Sequence, residues 1–148
     1  MNKSINEQIQ IYKNSVNNNS LSSTYKFLMD FMNQLQREFD KRIENIFIVK
    51  KVLNGYLNYT YFYFENDFFK KRNLKLAIVL NHQKMCFEIW LIGTTKKVQK
   101  KYWAKFKNTK WNKEEIMPQW YVISIELLSN PNFEELNKLT DSIVNRFP

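Results

Sequence analysis

The chain reads as an α+β domain in which two N-terminal helices lead into an antiparallel four-stranded meander, followed by helix–strand–helix (ααββββαβα). Three observations predict this. Apolar residues step by three and four from Ile5 to Ile43, the spacing of one helical face. From Ile46 that period gives way to short runs of β-branched and aromatic residues joined by brief polar breaks. After Gly93 the helical period returns twice, on either side of a single apolar strand. A length of 148 residues suits one domain over residues 1–148, and two glycines and three prolines leave little material for a linker.

The first helix opens on Ser4 and Glu7, a capping-box pattern, and carries its stripe on Ile5, Ile9, Tyr12 and Val16. The run Asn17–Ser20 breaks it, because these side chains compete for backbone hydrogen bonds. The second helix continues through Leu21, Tyr25, Leu28, Met32, Leu35, Phe39 and Ile43. A strand over Ile46–Leu53, a turn at Asn54–Gly55 and a second strand over Tyr56–Phe64 follow. Polar residues from Glu65 to Asn73 interrupt the run. Leu74–Leu80 and Met85–Ile92 form the third and fourth strands about a turn at Asn81–Lys84; connections this short require antiparallel pairing. Thr94 or Thr95 caps a helix reaching about Asn108, with Val98, Tyr102, Trp103 and Phe106 on its apolar side. Trp120–Leu128 is the fifth strand, and Pro131 stands in the first turn of a last helix that buries Phe133, Leu136, Leu139, Ile143 and Phe147.

Composition narrows the function classes. The chain has one Cys and one His, which cannot assemble a common structural zinc site, and no cofactor or metal is expected. Cys86 lies in an apolar run, where a thiol is inert. No stretch approaches the roughly 18 apolar residues of a membrane span, and the first residues hold no apolar leader. A cytoplasmic protein without membrane contact is the expectation.

Net charge is +9, and it is concentrated. Eight lysines and no acid lie between Lys96 and Lys113, against 15 basic and 14 acidic residues elsewhere. On a helix whose core side carries Val98, Tyr102 and Phe106, residues Lys96, Lys97, Lys100, Lys101 and Lys107 fan over the outward arc. Lysines four apart repel by tenths of a kcal/mol, a cost that interspersed glutamates would remove. An anion-facing surface for nucleic acid or an acidic protein accounts for this, and a plain solvated face is the bland alternative. Trp103 and Trp111 lie among the lysines, as in surfaces that stack on unpaired bases, though Trp103 also suits a core edge.

The Tyr-rich strand puts Tyr59, Tyr61 and Tyr63 on one face and Tyr56, Thr60, Phe62 and Phe64 on the other. Such a face could stack single-stranded RNA, mediate a homodimer, or fill volume beneath helices. An opening between sheet and helices would give a small-ligand pocket around Tyr61, Glu88 and Trp90, and with it an enzyme or sensor. Asp67 with Glu88 resembles the acid pair of the restriction-endonuclease core, but Trp90 stands where that pattern has lysine. His82, at a turn, reads as solvated.

The segments Tyr59–Phe62, Leu74–His82, Phe87–Leu91 and Lys97–Trp103 together resemble an uncharacterised family of small bacterial proteins, a domain of unknown function. The resemblance spans nearly the whole chain. It implies a stand-alone cytosolic domain and brings no activity, cofactor or catalytic residue.

Overall fold

The computed structural model describes residues 2–55, 57–112 and 115–146. Its element order is ααβββαββαβα, which corrects the expected ααββββαβα. The chain divides into two compact units, residues 1–31 and 32–148. Helix α2 (Asn19–Ile43) runs across the division.

In the first unit, α1 (Ile5–Val16) is closed by the reciprocal bonds of a capping box. The Ser4 amide donates to Glu7 Oε2 at 2.6 Å, and the Glu7 amide donates to Ser4 Oγ at 3.2 Å. Its stripe of Ile5, Ile9, Tyr12 and Val16 is exposed. The asparagine run does break the helix, but only briefly. Asn18 Oδ1 accepts from the amides of Ser20 and Leu21, so it caps α2 and lets that helix start immediately.

The second unit is built on a six-stranded sheet in which every pairing is antiparallel. The strands are β1 (Ile48–Val49), β2 (Leu53–Gly55), β3 (Tyr59–Glu65), β4 (Leu74–Asn81), β5 (Cys86–Gly93) and β6 (Ile123–Leu128). They run in the order β1-β3-β4-β5-β6, and β2 also pairs with β3. The expected Ile46–Leu53 strand is therefore two strands. Val49 pairs with Phe64 and Leu53 with Tyr61, so four steps along one chain face three along the other. The surplus residue interrupts the ladder like a bulge. Asn54–Gly55 is not the turn. Both residues pair within β2, opposite Thr60 and Tyr59, and the turn comes later, at Leu57–Asn58. Asn54 is held by its side chain, which accepts from Thr60 Oγ1 at 3.0 Å.

The polar stretch after β3 contains a short helix, α3 (Asp67–Lys70). Asn66 Oδ1 accepts from the Phe69 amide, and four residues are too few to display a period. Helix α4 (Lys96–Phe106) is capped by Thr95, whose hydroxyl accepts from the Val98 amide. The last strand starts at Ile123 rather than Trp120; in the segment before it the Gln99 side chain donates to the carbonyls of Pro118 and Gln119, and the Val122 amide donates to the Leu91 carbonyl. Helix α5 (Leu136–Val144) begins five residues after Pro131. Phe133 precedes it, packing its ring 6.2 Å from Phe87. Tyr56, Lys113 and Phe147 lie outside the described residues.

Alternation along the strands sorts the sheet into two faces. Phe62, Phe64, Ile78, Leu80 and Phe87 are buried on one, under Phe39 of α2, whose ring lies 5.5 Å from Phe62 and 5.0 Å from Phe64. Leu139 and Ile143 of α5 are buried as well. The other face carries Ala77, Val79, Trp90 and Ile92, with Tyr59, Tyr61, Tyr63 and Tyr121 packed over them and only half buried.

Candidate functional site

Helix α4 begins where β5 ends, and Gly93 makes that approach feasible. A Cβ on Gly93 would sit 2.6 Å from the Gln99 backbone nitrogen, well inside contact distance. Gln99 is buried at 4% exposure, and its amide donates to the carbonyls of Pro118 (3.0 Å) and Gln119 (3.1 Å). It thereby ties the helix to the segment leading into β6. Val98, Tyr102, Trp103 and Phe106 are half-buried, so the most buried position on the helix is a polar one. A glutamine in a lysine-rich run gives no apolar signal, which is why periodicity passes over it.

The lysines occupy the rest of the helix. Lys96, Lys97, Lys100, Lys101, Lys105 and Lys107 are all exposed. Among the described residues, the ion pairs join Lys26 to Asp30, Lys41 to Glu38 and Lys138 to Glu135, and none involves α4. Several of these cations lie over rings instead. Lys101 and Lys105 are 5.5 and 6.0 Å from the Tyr102 ring centre, and Lys107 is 5.1 Å from that of Trp103. Lys110 stands 4.7 Å from the Trp111 ring. Lys110 and the exposed Trp111 border an open groove of about 390 Å³, whose other side is Tyr121 and the edge strand β6.

A smaller cavity, of about 130 Å³, opens on the tyrosine face. Strand β3 contributes Tyr59, Tyr61 and Tyr63, β5 contributes Trp90 and Ile92, and Gly55 and Trp120 complete the lining. Gly55 leaves the Tyr61 ring its position, since a Cβ would meet Tyr61 Cε1 at 2.9 Å and push the ring aside. Tyr59 stands edge-on to Trp90 with ring centres 4.9 Å apart, and Tyr121 packs against the same indole at 4.7 Å. The Lys75 ammonium lies 3.7 Å over the Tyr63 ring. Burial pushes the Lys75 pKa down, and nearby Glu65 opposes that shift. The Tyr63 hydroxyl is pushed well above the usual tyrosine range by burial, and also by its hydrogen bond and proximity to Tyr61.

Of the sequence-predicted pocket residues, Tyr61 and Trp90 line this cavity, while Glu88 lies beside it. Glu88 is 8% exposed. Its Oε2 accepts from Trp90 Nε1 at 3.1 Å and its Oε1 from Asn81 Nδ2 at 3.4 Å. The carboxylate thus orients the indole. Gly55, Trp120 and Tyr121 escape sequence reasoning, because long-range pairing brings them to the site and no local motif does. His82 is half-buried rather than solvated; its Nε2 is 2.8 Å from Thr60 Oγ1, and burial lowers its pKa. Burial and the neighbouring Glu88 and Glu126 push the Cys86 thiol pKa up, consistent with an unreactive side chain.

Asp67 falls in the first turn of α3. Among the described residues no cluster of His, Cys, Asp and Glu could hold a metal ion. Nor is any described helix long and apolar enough to cross a membrane. No significant similarity links the chain to a curated protein or to a solved structure. Residues 5–148 match a family described as Domain of unknown function (DUF7000), and the chain belongs to that family.

Proposed function

We propose that this is a non-enzymatic binding protein whose α4 surface meets single-stranded nucleic acid. The observation that carries the reading is the set of exposed lysines on α4 and its following loop, with no acid in ion-pair contact among the described residues. A polyanion supplies the missing countercharge, and the released counterions drive association. The interleaved Trp111, exposed beside Lys110, favours unpaired bases over an acidic protein, because a base offers a face on which an indole stacks. A catalytic reading through Glu88 is weaker, since both its oxygens are engaged by Trp90 and Asn81. A cytoplasmic setting belongs to the same proposal.

Fluorescence anisotropy with a labelled single-stranded RNA at low and physiological salt tests it. Engagement of four to six lysines gives a log–log salt slope of roughly −3 to −4. Changing Lys96, Lys97, Lys100 and Lys101 together to glutamate abolishes binding. Absence of binding at low salt would refute the proposal. Equal binding to polyglutamate would show that only charge is read and would move the partner to the acidic-protein class.

A further inference from the structure

We propose that the aromatic cavity on the tyrosine face receives a single nucleobase. Among the described residues, five of the seven that line it are aromatic, so a flat guest finds ring faces and edges wherever it turns. Its 130 Å³ is well below the roughly 300–1,000 Å³ that holds a whole drug-sized ligand. One ring system enters, and whatever is attached to it stays outside.

The walls are set before the guest arrives. Trp90 is flanked by Tyr59 and Tyr121, and its N–H is committed to Glu88, so little side-chain freedom remains to be lost on binding. The described lining brings tyrosine hydroxyls, which both donate and accept, with those of Tyr61 and Tyr63 already bonded to each other. Aromatic cages also take quaternary ammonium groups, but this one does not suit them. The Lys75 ammonium already lies over Tyr63, and no carboxylate is among the described lining residues. A cationic guest would meet that like charge, and the nearest carboxylates are already engaged, Glu88 by Trp90 and Asn81 and Glu65 by Lys75 itself, whereas a neutral heterocycle meets no such cost.

Position ties the cavity to the lysine helix. Gln99 of α4 holds the carbonyls of Pro118 and Gln119, and the next two residues serve the two hollows. Trp120 lines the cavity, and Tyr121 lines the groove that contains Lys110 and Trp111. A sugar–phosphate emerging past Trp120 therefore has cations close by. The choice of a nucleobase among flat rings rests on the nucleic-acid reading above; the requirement for a single flat ring does not.

The test compares a labelled RNA of about 12 nucleotides with an abasic strand of the same length, alongside tryptophan quenching by a free nucleoside monophosphate. The base-bearing strand should bind about tenfold tighter than the abasic one. Gly55→Ala, which presses on the Tyr61 ring, and Trp120→Ala, at a residue 41% exposed, should each cut that preference down to the part that Trp111 stacking supplies, which Trp111→Ala then removes. Both cavity substitutions should leave abasic binding unchanged and the protein folded by circular dichroism. Saturable quenching by the monophosphate, lost in Gly55→Ala, would assign the site to free nucleotides as well as strands. Quenching of this kind without any abasic-strand binding would retire the lysine reading and keep the cavity. Equal affinity for both strands with no quenching would overturn the proposal, as would a preference that neither Gly55→Ala nor Trp120→Ala reduces.

Discussion

The two faces of strand β3 differ by little more than a hydroxyl group, yet they have opposite fates. Phe62 and Phe64 are 0% and 1% exposed, packed against Phe39 of α2. Tyr59, Tyr61 and Tyr63, interleaved with them on the same seven residues, remain half-buried around a cavity. Where helices exclude water, a ring without a polar atom carries no desolvation cost. Where water reaches the rim, a phenol keeps one end apolar and the other wet. The exception on the covered face supports the rule: Thr60 is 1% exposed, and its hydroxyl contacts both Asn54 and His82. One face is closed over by helical side chains, and the other stays half open around a cavity.

Truncation should separate the faces most sharply. Phe62→Ala should destabilise the protein by about 3–5 kcal/mol in urea denaturation, and Tyr61→Ala by roughly half that, since its ring is only half removed from water. Equal losses would mean that the tyrosine face is as much a core as the other. A smaller effect is expected at Gly93, which shares its side of β5 with Phe87. Gly93→Ala places a methyl group against the Gln99 backbone, and displacing α4 should cost about 1–3 kcal/mol. An unchanged denaturation midpoint would show that the helix slides freely on the sheet.

The smallest effect concerns His82. Burial lowers its pKa below the ordinary 6.5, so the unfolded chain takes up the proton first as pH falls. Stability is then level above about 6.5, declines below it, and levels again beneath the folded-state pKa. Denaturation midpoints at pH 7.5 and 5.5 should therefore drop more in the native protein than in His82→Gln. Identical slopes would mean that His82 titrates as it does in the unfolded chain.

How much of this was legible beforehand depended on the range of the interaction. The capping box at Ser4, the stripe of α2 and the charge of the α4 segment are local patterns, readable because a helix brings residues three and four apart together. The errors occurred where a long-range partner decided the outcome. Asn54–Gly55 carries a turn signature, but pairing with Thr60 and Tyr59 holds it in a strand. Trp120 has strand propensity, yet the strand starts only at Ile123, after a segment that Gln99 binds by two carbonyls. Helix α3 was missed because a single capped turn has no period to detect.

The candidate sites divide in the same way. The sequence alone established that the lysines cluster, that tyrosines alternate with phenylalanines, and that no common structural zinc site can assemble from one His and one Cys. Those facts follow from composition and from the fixed periods of helix and strand. Tertiary structure decided which sheet face was covered, that Glu88 serves Trp90, and that Gly55 and Trp120 close a cavity begun by Tyr61 and Trp90. The physical reason is register: residues from β2, β3, β5 and the segment before β6 meet only after antiparallel pairing has set their positions, and no spacing along the chain encodes that meeting.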